Sequence, residues 1–187
     1  MAFNFNTELY ADPDLAEGID WARRFRIHER FDDSPARTAE GPRTVILAPH
    51  GGGIERGTSE LCLAVAGYHP ANLPITPPAG VTYDYWMFEG IRPDDNKDLH
   101  VTSTGCDDLC NIVNRTLRAK GAQLELSEPL RDTMFGRNTR PGRKVTTTEV
   151  FWRFVAACRD ALDRFEAEPA IVSPDVRSSP EDRCRRS

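Results

Sequence analysis

At 187 residues, with 39% apolar and 28% charged side chains, the chain has the size and make-up of one soluble domain that needs no disulfide or metal staple. No stretch approaches the roughly 20 apolar residues of a membrane span, and a formal charge of −5 argues against a general nucleic-acid binder. The opening MAFNFNTELYADPDL has neither the basic start nor the apolar run of a signal peptide, so a cytosolic address is expected.

In chain order, the first periodic segment is DWARRFRIHERF. Trp21, Phe25, Ile27 and Phe31 share one parity, and Ala22, Arg24, Arg26, His28 and Arg30 take the other. This predicts a half-buried strand with a charged outer face, which makes His28 a surface histidine. DDSPARTAEGP is a loop, and RTVILAP is a short apolar run of the kind a central strand covered on both faces shows. After three glycines, Thr58 or Ser59 is placed to cap a helix with the body ELCLAVAG, ending at Gly67. YHPANLPITPPAGV is an irregular, proline-rich loop containing His69.

Three further strands are expected, in TYDYWMFEGI, KDLHVTS and AQLELS. The last long element is a helix in TTTEVFWRFVAACRDALDRFE, capped by a threonine, with Phe151, Phe154, Val155, Cys158, Leu162 and Phe165 on one stripe. Residues 1–168 are therefore read as one domain. Residues 169–187, polar and proline-broken, are read as a disordered tail.

Cys62, Cys106, Cys110, Cys158 and Cys184 are odd in number and lack framework spacing, which suits reduced thiols. Cys106 and Cys110 form a C-x3-C pair compatible with a metal, but no second pair completes four ligands. Charge is unevenly spread. Between Arg115 and Lys144 eight basic residues face three acidic ones, leaving −10 for the remainder. Such asymmetry suits a local anionic ligand or a solvated face.

LAPHGGGIERGTSEL carries the strongest chemical signal: a histidine ends an apolar run, three glycines follow, and a glutamate stands five positions after the histidine. Strand, glycine-rich turn and helix start form an α/β unit, whose ligands bind at strand carboxyl ends. An esterase oxyanion loop would need a G-x-S-x-G elbow, which is absent. A phosphate loop would need the lysine and hydroxyl of G-x4-G-K-[ST], also absent. Two readings stay open: His50 and Glu55 as zinc ligands on either side of a flexible turn, or a strand-end histidine beside a capping glutamate. In AQLELS the leucines alternate with Glu125, which would project its carboxylate off one face of a buried strand. Beside an activated water it would serve as a general base. A strand-edge glutamate paired with a nearby arginine is the plainer alternative.

APHGGGIERGTSEL, YWMFEGIRPDDNKDLHVTSTG, NIVNRT and GAQLELS, in that order, resemble the phage and bacterial poly-γ-glutamate hydrolase family, from about Gly18 to Arg131. The resemblance implies a carboxypeptidase-like α/β fold, a mixed sheet flanked by helices, and zinc-dependent hydrolysis of γ-glutamyl amide bonds. It implies zinc on His50 and Glu55, Glu125 as general base, and Asn114 and Arg115 on a substrate carboxylate.

One departure stands out. Family members place a strand ending in histidine-glycine, carrying the third zinc ligand, between LHVTS and NIVNR. Here LHVTSTGCDDLCNIVNRT passes directly from one to the other. One strand and one helix fewer are expected, with His100, or less readily His69, left as a replacement ligand. The expected partner is a polyanionic γ-glutamyl substrate, with no nucleic acid or membrane, and the chain is taken to be a monomer. The alternative is a non-catalytic relic that keeps a basic groove for an anionic polymer.

Overall fold

A computed structural model describes residues 6–27, 44–71, 81–91 and 121–168. Its elements are α1 (Asn6–Ala11), β1 (Trp21–Arg26), β2 (Val45–Gly52), α2 (Thr58–Val65), β3 (Asp84–Gly90), α3 (Glu128–Thr133), α4 (Arg140–Arg143) and α5 (Glu149–Ala167). The strands form a mixed sheet in the order β1-β3-β2, with β1 antiparallel and β2 parallel to β3. This is an α/β architecture, as expected. His28, KDLHVTS, Cys106, Cys110, Cys184 and the tail lie outside the described residues.

Among the described residues β3 takes the middle of the sheet. Its aromatic-rich run is buried nearly throughout, as a strand paired on both sides should be. α2 is enclosed on all sides. Cys62, Leu63 and Ala66 pack on Ala48, Tyr83, Tyr85 and Met87 of the sheet layer. Leu61, Ala64 and Val65 pack on Met134, Phe135, Phe151 and Val155. The predicted stripe of α5 therefore meets α2, with Phe154, Cys158 and Leu162 at its margin, and Thr148 is the N-cap residue.

Three local expectations change. Gly57, not Thr58 or Ser59, is the N-cap of α2, because the hydroxyl of Ser59 instead accepts the N–H of Gly52 at 2.8 Å. The far end is as expected. Tyr68 N–H donates to Leu63 O and Gly67 N–H to Ala64 O, the paired bonds of a Schellman motif.

The alternation of β1 does not become burial. Trp21 is buried with Leu9, Ile54 and Phe88, yet Phe25 is 62% and Ile27 70% exposed. The cause is the cover. α1 has six residues, a length of about 9 Å, whereas Phe25 lies four strand residues, roughly 13 Å, beyond Trp21. The charged parity leans onto the sheet instead. Arg24 Nε lies 2.9 Å from Glu89 Oε2 without hydrogen-bond alignment, and Arg26 sits over the Tyr68 ring.

AQLELS is not a strand. Residues 121–127 run without ladder or helix. Leu126 packs at the edge of the α5 cluster, whereas Leu124 is 62% exposed. Alternation needs a pairing partner to become a strand, and this segment is held by a side chain described below.

Candidate metal centre

The site begins with a defect in the sheet. β2 pairs Ala48 with Met87 and Gly51 with Glu89, so three steps along β2 match two along β3. This one-residue bulge contains Pro49 and His50. Proline has no N–H for a ladder, and a bulge re-aims the side chains within it. Here it turns His50 inward, 8% exposed, at the carboxyl end of the strand.

The turn then folds back on itself. Glu55 N–H donates to His50 O at 3.0 Å, Ile54 N–H to Gly51 O at 3.3 Å, and Gly53 N–H to Gly90 O at 2.9 Å. Ile54 seats the turn in the pocket of Leu9, Trp21 and Phe88. Gly52 has φ +68, and a Cβ there would lie 2.3 Å from Gly90 O, so no other residue fits without displacing β3. The outcome is a short side-chain contact: His50 Nδ1 stands 2.9 Å from Glu55 Oε1. A contact of this length fits a hydrogen-bonded histidine–glutamate pair as well as two ligands of one ion.

A neutral imidazole nitrogen and a carboxylate oxygen are ordinary zinc donors. Two ligands on one tetrahedral zinc stand roughly 3.3 Å apart, so a small outward movement of either side chain would admit the ion. The pair fits zinc as two of its ligands. Among the described residues no group of three His, Cys, Asp or Glu side chains is placed to hold a metal. His69 therefore does not complete the set; its Nδ1 accepts the N–H of Ala71 at 3.1 Å. His100, Asn114 and Arg115 lie outside the described residues.

Glu125 is exposed and accepts a hydrogen bond from the amide of Gln123. The carbonyl of the next residue, Leu126, is bound by Arg131. That guanidinium donates from Nε to Leu126 O at 3.1 Å and from Nη1 to Arg56 O at 2.9 Å. Beneath the turn lies a second arginine. Arg143 donates from Nε to Glu60 Oε1 at 3.3 Å, from Nη2 to Gly52 O at 3.4 Å, and from Nη1 to both oxygens of Asn138. Burial pushes the Glu60 carboxyl above its ordinary value, with Arg143 pulling it back.

These contacts revise the reading of the basic stretch. Arg131 and Arg143 are 9% and 2% exposed and serve internal carbonyls and a carboxylate, not an external anion. Arg137 and Arg140 remain exposed, while Arg115, Arg118 and Lys120 are outside the described residues. Sequence reasoning counted the two buried arginines only as charge. Nothing local distinguishes them, because their partners lie up to 91 residues away.

The sequence model of a family described as Poly-gamma-glutamate hydrolase matches residues 28–110 and 105–157. Two Bacillus subtilis (strain 168) proteins are similar: the SPbeta prophage-derived UPF0714 protein YoqZ, 41% identical over 66 residues, 35% of this chain and 19% of that protein, and the UPF0714 protein YndL, 35% identical over 109 residues, 58% of this chain and 36% of that protein. The matched stretches thus span about a fifth to a third of those relatives. A solved bacteriophage poly-gamma-glutamate hydrolase shares the fold with a TM-score of 0.51 at 15% identity, covering 81% of this chain and 92% of its own. Among the described residues no helix is long and apolar enough to cross a membrane.

Proposed function

Since the chain belongs to the poly-gamma-glutamate hydrolase family, we propose that it is a zinc-dependent hydrolase of γ-glutamyl amide bonds, with His50 and Glu55 as metal ligands. The observation that carries this reading is the 2.9 Å approach of His50 Nδ1 to Glu55 Oε1 on a bulged turn at a strand's carboxyl end. The donor set suits zinc, and His100 is the proposed third ligand. Zinc bound there would act as a Lewis acid and make water a nucleophile near neutral pH.

The chain's own groups supply the remainder. The Glu125 carboxylate takes the proton of the attacking water and returns it to the nitrogen of the departing amine. General-base help of this kind is typically worth about 10²–10⁴-fold. Asn114 and Arg115 hold a substrate carboxylate, and exposed Arg137 and Arg140 attract a polyanionic chain.

Turnover slower than that of an intact family member is part of the proposal. The family match comes in two parts that overlap at residues 105–110, which supports the reading that a segment is lacking there, and the resemblance implies that this segment carries the third ligand. With two ligands held firmly and a third supplied from an unusual place, the attacking water is poorly fixed relative to Glu125. Misplacement by about 1 Å can cost ~10²-fold.

The same observation favours a second reading, a non-catalytic module that binds an anionic polymer. The deciding experiment measures zinc per chain and release of small glutamyl fragments from poly-γ-glutamate, zinc in excess. Wild type, His50→Ala and a chimera with the family segment inserted between Asp108 and Asn111 are compared. Metal lost in His50→Ala and turnover gained in the chimera support the hydrolase. Equal metal in wild type and His50→Ala removes the zinc site. Polymer binding without cleavage by any protein selects the module.

A further inference from the structure

We propose that Arg131 is a positioning residue that registers the Glu125 segment against the Glu55 turn. Resting on the hydrolase reading for its catalytic meaning, the inference has its own structural content. Among the described residues, 121–127 joins no ladder or helix, and one of the two leucines flanking Glu125 is exposed. Arg131 closes that gap from the next element. It lies in α3, and its own N–H donates to Ser127 O. Its guanidinium then reaches two carbonyls that are 70 residues apart in sequence, Leu126 O at 3.1 Å and Arg56 O at 2.9 Å.

The two carbonyls adjoin the two functional segments. Leu126 follows Glu125 directly, and Arg56 follows Glu55 directly. One rigid, planar group thus links the carbonyl of the residue after the proposed base to the carbonyl of the residue after the proposed ligand. The fork of a guanidinium spans two acceptors in a fixed geometry, which an ammonium cannot do. Arg131 as a whole is buried, and both of its bonds to these carbonyls are at least partly withdrawn from solvent.

A built-in control exists. Arg159 of α5 bridges two backbone carbonyls in the same manner, Val65 O at 2.9 Å and Val81 O at 2.7 Å, without touching either segment of the site. Arg131→Lys and Arg159→Lys therefore remove bridges of the same kind, one buried at the site and one half-buried away from it. The lysine variants keep the charge and most of the stem, and the dispersion of their amide spectra checks that the fold is kept.

The first measurement is the amide nitrogen and proton shifts of the full chain by NMR, without metal or substrate. A carbonyl that loses its hydrogen bond moves the amide of the following residue. Arg131→Lys is expected to shift both Gly57 and Ser127, and Arg159→Lys to shift Ala66 and Thr82 instead. Gly57 and Ser127 unmoved in Arg131→Lys would overturn the clamp.

The second is kcat and KM on poly-γ-glutamate for both variants, alone and combined with Glu125→Gln. Arg131→Lys is expected to lower kcat by about 10²-fold at constant KM, and to lower it no further once Glu125 is Gln, because groups acting as a unit are not additive. Equal losses in Arg131→Lys and Arg159→Lys, or full additivity with Glu125→Gln, would overturn the positioning role. A wild type without turnover strikes the hydrolase reading alone, and the amide shifts still decide the clamp.

Discussion

Arg143 and Glu60 form an ion pair buried beneath the His50–Glu55 turn, Nε to Oε1 at 3.3 Å, with both side chains almost fully withdrawn from solvent. Among the described residues the second carboxylate oxygen of Glu60 has no hydrogen-bond partner, and the same guanidinium also holds the carbonyl of Gly52. The pair joins the first turn of α2 to α4 and, through Gly52, to the glycine turn that carries the candidate site. Breaking it should be felt both in stability and at that turn.

Arg143→Met leaves the Glu60 carboxyl buried without its counter-charge. Removing one partner of a buried pair typically costs about 3–5 kcal/mol, and the lower end applies here because Glu60 can take up a proton. Urea unfolding at neutral pH should show the loss, and adding Glu60→Gln should recover part of it. A double variant no more stable than Arg143→Met would show that the uncompensated carboxyl is not the cause.

The Glu60 carboxyl is raised above its ordinary value of 4.5, first by burial. The folded state therefore holds this proton more tightly than the unfolded chain does. The associated stability is fully present below about pH 4.5 and is lost as pH rises through the raised folded value. Glu60→Gln cannot titrate, so the stability of the wild type minus that of the variant should shrink as pH rises across this window. Chemical denaturation at several pH values reads the difference. A difference that grows with pH would mean that the pair with Arg143 outweighs burial.

Gly52→Ala is expected to be far more damaging than Gly18→Ala. Both glycines have positive φ, +68 and +88, but a Cβ at Gly52 meets Gly90 O at 2.3 Å, while one at Gly18 meets nothing within 4 Å. Gly18→Ala should cost only the left-handed backbone penalty of about 1–2 kcal/mol. Gly52→Ala adds a clash with a buried strand, and should lower the thermal midpoint further and weaken zinc binding with it. Equal midpoints for the two variants would contradict the close approach of the turn to β3.

Polyglutamate binding should weaken as salt rises, since attraction between exposed charges is screened beyond ~8 Å at physiological ionic strength. Arg137→Ala with Arg140→Ala, and separately Arg115→Ala, should reduce both affinity and its salt dependence. Titrations at low and high salt test this. Affinity indifferent to salt and to all three substitutions would make the basic stretch a solvated face.

Periodicity and turn chemistry, acting within a few residues, determined much of this protein. The apolar run of β3, the Gly67 end of α2 and the stripe of α5 could be read from sequence because each is encoded over one or two turns or a single strand. The motif HGGGIE likewise marked His50 and Glu55, since glycines between two potential ligands are a local statement. Only the tertiary structure decided the rest. A ladder needs a partner, and among the described residues 121–127 pairs with no strand. Burial of Phe25 needs a cover longer than α1. The inward aim of His50 comes from a bulge defined by pairing with β3. Arg131 and Arg143 look like any other surface charge in sequence, and become internal only where the fold brings Arg56 O, Glu60 and Gly52 O within reach of their forks. Local patterns choose elements, because propensity and capping have a range of one turn; what a long polar side chain touches depends on residues far along the chain, which only packing brings near.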